Sequence, residues 1–228
     1  TTRLVVEAMG PGIAAWQLFI VSLALATYIL LAVGAIGQKN IKRLLAYSSI
    51  NNIGFMLIGL AAGTQAGVQA VLTYLLVYVV TTLGTFLVVL NLRDSDGQPV
   101  EAISALAGLS ERKAGLAAAL AVFLFSIAGI PPLFGFWPKY LVFEAAVLAN
   151  LVPLAVVGIV ASVISAFYYI AIIKTMYFDD VADVQWSGQG PWVERGLVAG
   201  SALWLSVVGY LFIQPLAGAT AQAAAVLF

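Results

Sequence analysis

Stretches without any charged residue dominate this chain and constrain its fold more than any other feature. They cover residues 8–38, 44–92, 114–138, 145–173 and 196–228. A helix crosses the hydrocarbon core of a bilayer in about 20 residues, so stretches of this length predict transmembrane helices. Only 9% of the residues are charged, whereas soluble domains carry about 25%. The composition therefore excludes a soluble enzyme and predicts an integral membrane protein.

The predicted fold is all-α, a polytopic membrane helix bundle with about six transmembrane spans in a single domain over residues 1–228. The stretch 44–92 is long enough for two spans. The turn between them is predicted at 62–67, where Gly63 and Gly67 interrupt the helical pattern. The predicted spans are 13–36, 45–62, 68–91, 115–149, 152–174 and 195–217.

Lysine and arginine fall almost entirely on one side of these spans. Six crossings place eight of the ten basic residues on one side and Arg3 alone on the other, with Lys139 inside a span. Because cytoplasmic loops carry the excess of basic residues, both ends of the chain are predicted to be extracytoplasmic. The eight residues on the predicted cytoplasmic side are Lys39, Lys42, Arg43, Arg93, Arg112, Lys113, Lys174 and Arg195.

The predicted span 115–149 is too long for one straight helix, since it would measure about 52 Å against a hydrocarbon core of about 30 Å. Two prolines in its middle remove backbone donors, and a glycine stands on each side of them. We expect two half-helices, with non-helical backbone within 129–136 and helix again before Lys139. The alternatives are a proline kink or a re-entrant hairpin, and a hairpin would reverse every later crossing. The breaking residues are Gly129, Pro131, Pro132 and Gly135.

Lys139 follows the break and is therefore predicted to lie near the middle of the membrane. Both interfaces are about two to three helical turns away, which is beyond the reach of its side chain. An isolated charge at this depth is costly by several kcal/mol, and such residues usually line a polar cavity. Because removal from water favours the neutral amine, the group can gain and lose a proton, as a proton relay requires. Lys139 is the predicted proton-transfer residue.

Polar side chains on the neighbouring spans are candidates for a water-filled path. Helical spacing puts Tyr74, Tyr78 and Thr81 on one stripe. Ser48 and Asn52 lie one turn apart on the preceding span. Such stripes either hold helices together through hydrogen bonds or order a chain of water molecules.

Further polar candidates lie on the later spans. Glu144 stands five residues after Lys139, off its helical face, and is either a partner across water or a group near the outer interface. Ser162 and Ser165 of span 152–174 fit either a structural or a water-ordering role.

The residue inventory argues against cofactors and metals in this chain. It contains neither cysteine nor histidine, so the usual ligands for haem, iron–sulfur clusters and structural zinc are missing. No glycine-rich dinucleotide loop follows a strand pattern. The formal net charge is zero, which argues against nucleic acid as a partner.

Two long motifs resemble a known family. The run NIKRLLAYSSI from Asn40 to Ile50 resembles the basic loop and following helix of the antiporter-like subunits of respiratory complex I. The run SIAGIPPLFGFWPK from Ser126 to Lys139 is similar to their second discontinuous helix. The combination of Gly-Ile-Pro-Pro with a lysine after the break is most similar to subunit N of bacterial NADH–quinone oxidoreductase.

The resemblance covers about residues 13–217 and implies a fold of two inverted repeats, each with one broken helix. This chain would be the second repeat plus the final helix, and thus the C-terminal part of a longer subunit. The acid–lysine pair of the first repeat has no counterpart in this sequence. Many members carry His where Asn52 stands, and an amide cannot titrate, so the resemblance implies water ordering rather than proton carriage at this position.

The implied function is proton translocation across the bacterial inner membrane as a subunit of a proton-translocating NADH:quinone oxidoreductase. NADH, FMN, iron–sulfur clusters and quinone would bind to other subunits, with no redox centre in this chain. The partners would be other membrane subunits of the complex, the lipid bilayer, protons and water. Lys139 would be the relay of the second half-channel and Lys174 would extend the polar path. The residues implied to order water are Ser48, Asn52, Tyr74, Tyr78 and Thr81.

Two other functions fit parts of the sequence. A cation–proton antiporter or a membrane-bound hydrogenase has subunits of the same fold, but the Gly-Ile-Pro-Pro motif followed by lysine favours subunit N. A scaffold subunit without an ion path belongs to a different class of protein. Lys139 argues against a scaffold, since a charge near the midplane would destabilise it without serving a function.

Overall fold

The computed structural model describes residues 12–188 and 191–227, and over these residues the protein is a bundle of nine α-helices with isolated β-bridges only. The prediction of an all-α bundle is confirmed. Short 3₁₀ segments precede α4 and α9. The helices are α1 Ile13–Ile36, α2 Ile41–Ala61, α3 Gln65–Leu90, α4 Leu109–Arg112, α5 Ala114–Ala128, α6 Phe136–Leu148, α7 Val152–Phe178, α8 Trp192–Leu205 and α9 Ile213–Ala225.

Capping residues decide where α2 and α3 begin. The side chain of Asn40 accepts a hydrogen bond from the Arg43 amide at 3.1 Å, so α2 begins before the predicted position 45. Thr64 accepts from the Gly67 amide at 3.1 Å in the same way. Each cap pairs one backbone donor that would otherwise lack a partner at the start of its helix.

Four helices, namely α1, α2, α3 and α7, are long and apolar enough to cross a membrane on their own. The pair α8 and α9 would add a fifth crossing as one bent span. The helices α5 and α6 have 15 and 13 residues and are each too short to span the hydrocarbon core alone.

Together, α5 and α6 run the length of α3. Phe123 of α5 packs on Gly84 in the second half of α3, whereas Val142 of α6 contacts Gly59 near the end of α2. Val71, in the first half of α3, contacts Gly59 as well. The chain therefore continues across the bundle through the break, as two half-helices require, and does not turn back as a re-entrant hairpin would.

The predicted continuous span 195–217 is wrong in one respect, because the structure bends it by 68° between α8 and α9. Ser206 is extended there, with φ −76° and ψ −166°. At one end, Asn91 of the α3 C-terminus donates to Glu194 at 2.8 Å. At the other end, the hydroxyls of Thr73 and Thr220 lie 3.1 Å apart. The two pieces therefore follow α3 along most of its length, so the bend interrupts a single crossing.

Three connecting segments contact one another at one end of the bundle. These segments are 37–40, 91–113 and 179–188, and we call this end of the bundle the basic end. Backbone hydrogen bonds tie them together, including Ile41 N to Glu101 O at 2.8 Å and Ser95 N to Gln185 O at 2.7 Å. The Lys42 ammonium donates to the Glu101 carboxylate at 2.7 Å and holds the pKa of this carboxyl below its usual value.

All eight basic residues predicted on one side lie in these segments or in the adjoining helical turns. Arg3, predicted on the opposite side, lies outside the described residues. The basic end is therefore a property of the folded bundle, and its cytoplasmic location stays a prediction.

Candidate functional site

Lys139 lies in the first turns of α6 and is buried, with 4% of its surface exposed. Its ammonium donates to the carbonyl of Ala128 at 2.9 Å and to the hydroxyl of Ser162 at 3.1 Å. The ring of Phe55 lies 4.8 Å from the same nitrogen and offers a cation–π contact. All three groups are neutral, so the charge is solvated by dipoles and a ring face.

The helix break creates the space for this side chain. Gly129 ends α5 in the left-handed conformation, with φ +78°, and a Cβ there would lie 2.6 Å from Cδ of Lys139. Any residue other than glycine would both strain the backbone and collide with the lysine stem. The carbonyl of Ala128 lacks an amide of a following turn to bond, and the ammonium takes that place.

Two helix ends act on Lys139 in opposite senses. Its nitrogen lies at the C-terminus of α5, where the helix dipole is negative and favours an ammonium. The residue itself belongs to the N-terminal part of α6, whose dipole disfavours a cation. The site therefore combines a stabilising and a destabilising dipole around one amine, which is an arrangement suited to a group that changes its charge.

A chain of buried hydroxyls and amides lies beside this site. The hydroxyl of Tyr74 donates to Asn52 Oδ1 at 2.8 Å, and Asn52 Nδ2 donates to the carbonyl of Ser48 at 2.8 Å. The Ser48 hydroxyl in turn makes a short hydrogen bond with the hydroxyl of Tyr169. These residues come from α2, α3 and α7, so the network joins three helices.

A second branch connects α2 to the face of α7 that carries Ser162. Asn51 donates to the Ser165 hydroxyl at 2.7 Å, and Ser165 follows Ser162 by one helical turn. Asn51 Oδ1 and the Tyr168 hydroxyl are buried with no hydrogen-bond partner among the described residues. Buried polar atoms of this kind are normally satisfied by ordered water.

A cavity of about 10 Å³ lies between these residues and the helix break. This is close to the space that one water molecule needs. Its lining is polar on one side, with Asn52, Tyr74 and Thr81, and reaches Ser126 and Gly135 at the break. The Ser126 hydroxyl accepts from the Gly135 amide at 3.2 Å, which ties the cavity wall to the non-helical segment.

The predicted site residues therefore divide into two groups. Ser48, Asn52 and Tyr74 form one hydrogen-bonded network, and Tyr78 and Thr81 line the cavity next to it. The Thr81 hydroxyl is engaged by the carbonyl of Val77 in its own helix, at 2.7 Å.

Glu144 and Lys174 lie apart from this network. Glu144 is exposed and accepts from the hydroxyl of Tyr140 at 3.1 Å, so it is not brought to Lys139. The spacing of five residues explains this, because it turns Glu144 to a different face of α6. Lys174 is exposed at the basic end and pairs with Asp179.

Several contributing residues, Asn51 among them, were not predicted as site residues. Tyr169 completes the network, Ser126 binds the break and Phe55 faces the ammonium. A signal for Tyr169 was present, since it follows Ser162 and Ser165 at helical spacing on one face of α7. Phe55 and Ser126 have no such signal, because apolar and small residues are common on every span.

The sequence matches a known family. The family model described as NADH:quinone oxidoreductase/Mrp antiporter, transmembrane, matches residues 2–165. The chain belongs to this family. Its members share a transmembrane fold, and the match includes both long motifs and Lys139.

The curated relatives with high identity to this chain are subunits of one kind. NADH-quinone oxidoreductase subunit N of Sphingopyxis alaskensis is 75% identical over 226 residues, which are 99% of this chain and 48% of the relative. Subunit N of Rhizorhabdus wittichii is 58% identical, over 98% of this chain and 46% of the relative. The chain thus spans about half the length of the curated relatives it matches.

Solved structures of related complexes contain chains with the same fold. Respiratory complex I from Thermus thermophilus with bound aureothin contains a chain that matches with a TM-score of 0.76 and 31% identity, over 86% of this chain and 45% of that one. A chain of the Mrp complex from a Dietzia species matches with a TM-score of 0.76 and 20% identity, over 96% of this chain and 50% of that one. At that identity, the second match shows the fold alone.

Proposed function

We propose that this chain forms the C-terminal half of a subunit that moves protons across the membrane, and that Lys139 carries the proton. The observation behind the proposal is the buried ammonium, which is bonded to two neutral oxygens at the centre of a helix break. A lysine held in this way is expensive to keep inside a membrane protein. A purely structural role would be met at lower cost by a neutral side chain.

The buried network supplies a direction for the proton path. From Lys139, the polar positions proceed through Ser162 and Ser165 towards Ser48 and Tyr169, nearer to the basic end. Water molecules would fill the steps between neighbouring hydroxyls.

Beyond Lys139 in the opposite direction, the side chains buried between α2, α6 and α7 are apolar. They include Val142, Ala145, Ala146, Leu154 and Ala155. The lysine therefore exchanges protons with the basic end. Access to the other side of the membrane requires a rearrangement or further parts of the subunit.

The similarity to subunit N supplies the wider setting of the proposal. The full subunit would assemble with other membrane subunits of an NADH–quinone oxidoreductase in the bacterial inner membrane, with the basic end in the cytoplasm. NADH, FMN, iron–sulfur clusters and quinone would be bound by those other subunits, whose redox chemistry would drive the protonation cycle of Lys139.

Membership of the family leaves a cation–proton antiporter as the second candidate, because the matching family model covers the Mrp antiporter as well as the oxidoreductase. The higher identity of the relatives named subunit N favours the oxidoreductase. Proton pumping that depends on NADH oxidation separates the two functions.

The test uses the full-length subunit in the assembled complex, with pumping measured per complex in proteoliposomes. Lys139→Ala should lower pumping by at least about ten-fold, because a positioned proton-transfer group contributes on the order of 10² or more. Lys139→Arg should also impair pumping, since a guanidinium keeps its proton. Lys39→Ala is the matched control, because Lys39 is exposed at the basic end. Normal pumping per complex with Lys139→Ala would overturn the proposal.

A further inference from the structure

A second polar cavity, far larger than the first, opens at the basic end. It has a volume of about 900 Å³ and lies where α3 ends and where α5 and α8 begin. Ligand sites typically enclose about 300–1,000 Å³. None of the residues that form the network around Lys139 lines this cavity, so it has a separate chemistry.

The polar wall of this cavity carries more positive than negative charge. Arg112, Lys113 and Arg195 line it, together with the acids Asp183 and Glu194. Glu194 accepts a hydrogen bond from the amide of Asn91 at 2.8 Å, so its charge is partly engaged.

Lys113 is partly buried, whereas Arg112 and Arg195 are exposed. The Lys113 ammonium donates to the carbonyl of Gly188 at 3.4 Å and lies 5.9 Å from the ring centre of Trp186. Burial lowers the pKa of Lys113, because it removes the ammonium from water. The neutral partners of this ammonium compensate little for the lost hydration. An anion bound in the cavity would compensate for it.

The remaining wall is apolar and built from small side chains. Leu116 and Ala119 of α5 face the cavity, as do Val198 and Ala199 of α8. Both helices continue from here into the apolar part of the bundle, since the stretches 114–138 and 196–228 contain no charge. The apolar lining therefore leads from the charged rim towards the apolar part of the bundle, and it reaches Ala119 and Ala199.

The start of α5 adds to the positive potential of the rim. The first backbone amides of a helix lack partners within the helix and face outwards at its positive end. Gly115 lies in this first turn with nothing within 4 Å of a Cβ placed there, so the backbone is open to an approaching group. This contribution assists the basic side chains and would not define a site alone.

We propose that this cavity binds the head group of an anionic phospholipid, with its phosphate beside Arg112 and Lys113 and the first part of one acyl chain against the apolar wall of α5 and α8. Basic pockets between transmembrane helices on the cytoplasmic side are a known way to hold such head groups. A soluble anion would satisfy the charges but leave the apolar wall uncovered. A phospholipid matches both parts of the cavity.

The test is photo-crosslinking of the assembled complex, containing the full-length subunit, in vesicles with a diazirine phosphatidylglycerol. The expected crosslinks fall on peptides that contain Leu116–Ala119 or Val198–Ala199. The same probe with a phosphatidylcholine head group should crosslink them far less. Arg112→Gln with Lys113→Gln should weaken the apparent affinity about 25-fold, since each basic residue near an anionic lipid contributes about a factor of five.

The matched control is Lys39→Gln with Arg43→Gln, which removes the same charge from two exposed positions at the same end. Neither control residue lines the cavity, so the control should stay within about two-fold. Equal losses in both double variants would overturn the proposal, because the effect would then be general surface attraction. Equal labelling by the two head groups, or no labelling at these peptides, would overturn it as well.

Inorganic phosphate separates a lipid site from a soluble-anion site. Binding of phosphate alone to the delipidated complex, lost in the Arg112 and Lys113 double variant and unaffected by phosphatidylglycerol, would assign the cavity to a soluble anion. For a lipid site, we expect unlabelled phosphatidylglycerol to reduce the crosslinking by the diazirine probe. Inorganic phosphate should leave that crosslinking unchanged.

Discussion

Two helix breaks interrupt spans of this bundle, and they differ in where their cause lies. The first, residues 129–135 between α5 and α6, contains two prolines and two glycines. The second lies at Ser206, between α8 and α9, and its nearest proline is Pro215, inside α9. The prolines of the first break interrupt the helix through their own backbone, which lacks the amide donors. The second contains no proline, and its local feature is the Ser206 hydroxyl, which accepts from the Val208 amide at 3.4 Å and caps the 3₁₀ segment that follows.

The two breaks contact each other, which explains the second. The amide of Phe134 donates to the carbonyl of Leu205, the last residue of α8, at 2.9 Å. The ring of Phe134 is fully buried and meets the rings of Trp204 and Tyr210 edge-on, at 5.2 and 5.5 Å. The carbonyl at the end of α8 is thus satisfied by the first break.

The comparison separates the break that holds Lys139, the proposed proton carrier, from a break that supports it by packing. The carbonyl released at the first break binds Lys139, whereas the one at the second binds backbone and is surrounded by aromatic rings. Removing the contact between the breaks should therefore lower stability, and altering the lysine side of the first break should lower pumping. The following substitutions, made in the full-length subunit, distinguish these effects.

Phe134→Ala should have the largest effect, a loss of about 3–5 kcal/mol in stability, because it empties a fully buried site. Less assembled complex and a lower midpoint of heat inactivation are expected. Hydrogen exchange should increase at 206–212 more than in α2. Phe167→Ala, at a ring that is 63% exposed, is the matched control. Unchanged exchange at 206–212 would show that the second break does not depend on the first.

Gly209→Ala should cost about 1–3 kcal/mol through overpacking. A Cβ at this position would lie 2.3 Å from the carbonyl oxygen of Trp204 and 2.6 Å from Cγ of Phe134. The amount of assembled complex should fall while pumping per complex stays normal. Gly200→Ala, with open space around its Cβ position, should leave both quantities unchanged. Reduced pumping per complex would give the second break a functional role that we do not expect.

Gly129→Ala should have a smaller cost in stability, about 1–2 kcal/mol for a left-handed backbone with a side chain. Its effect on pumping should exceed that of Gly209→Ala, since the new Cβ displaces the stem of Lys139. The measurement is pumping per complex for the two glycine variants side by side. Identical pumping in the two would argue that the position of the lysine stem is unimportant.

Tyr210→Phe should have the smallest effect, about 0.5–1.5 kcal/mol. It retains the ring against Phe134 and removes the hydrogen bond from the Tyr210 hydroxyl to the carbonyl of Leu133, at 3.2 Å. The midpoint of heat inactivation reports this loss. Tyr177→Phe, at an exposed ring of α7, is the control. A decrease as large as that of Phe134→Ala would mean that the hydrogen bond, and not the ring packing, holds the two breaks together.

The sequence by itself determined the all-α membrane fold, the first break and the buried position of Lys139. These follow from local rules, because uncharged stretches need lipid, prolines end helices and a charge between apolar runs has few places to go. The hydrogen bonds among Ser48, Asn52 and Tyr74 could not be predicted from the sequence. Spacing along a helix predicts which polar residues share a face, but it does not predict their partners on other helices.

The tertiary structure alone decided the second break, the exclusion of Glu144 from the site and the entry of Tyr169 and Phe55 into it. Each depends on which residue of one helix lies opposite a residue far away in the sequence. Ser206 bends because Phe134 occupies the space beside it and bonds the end of α8. Such contacts are fixed by packing between helices, and no pattern within a single helix encodes them.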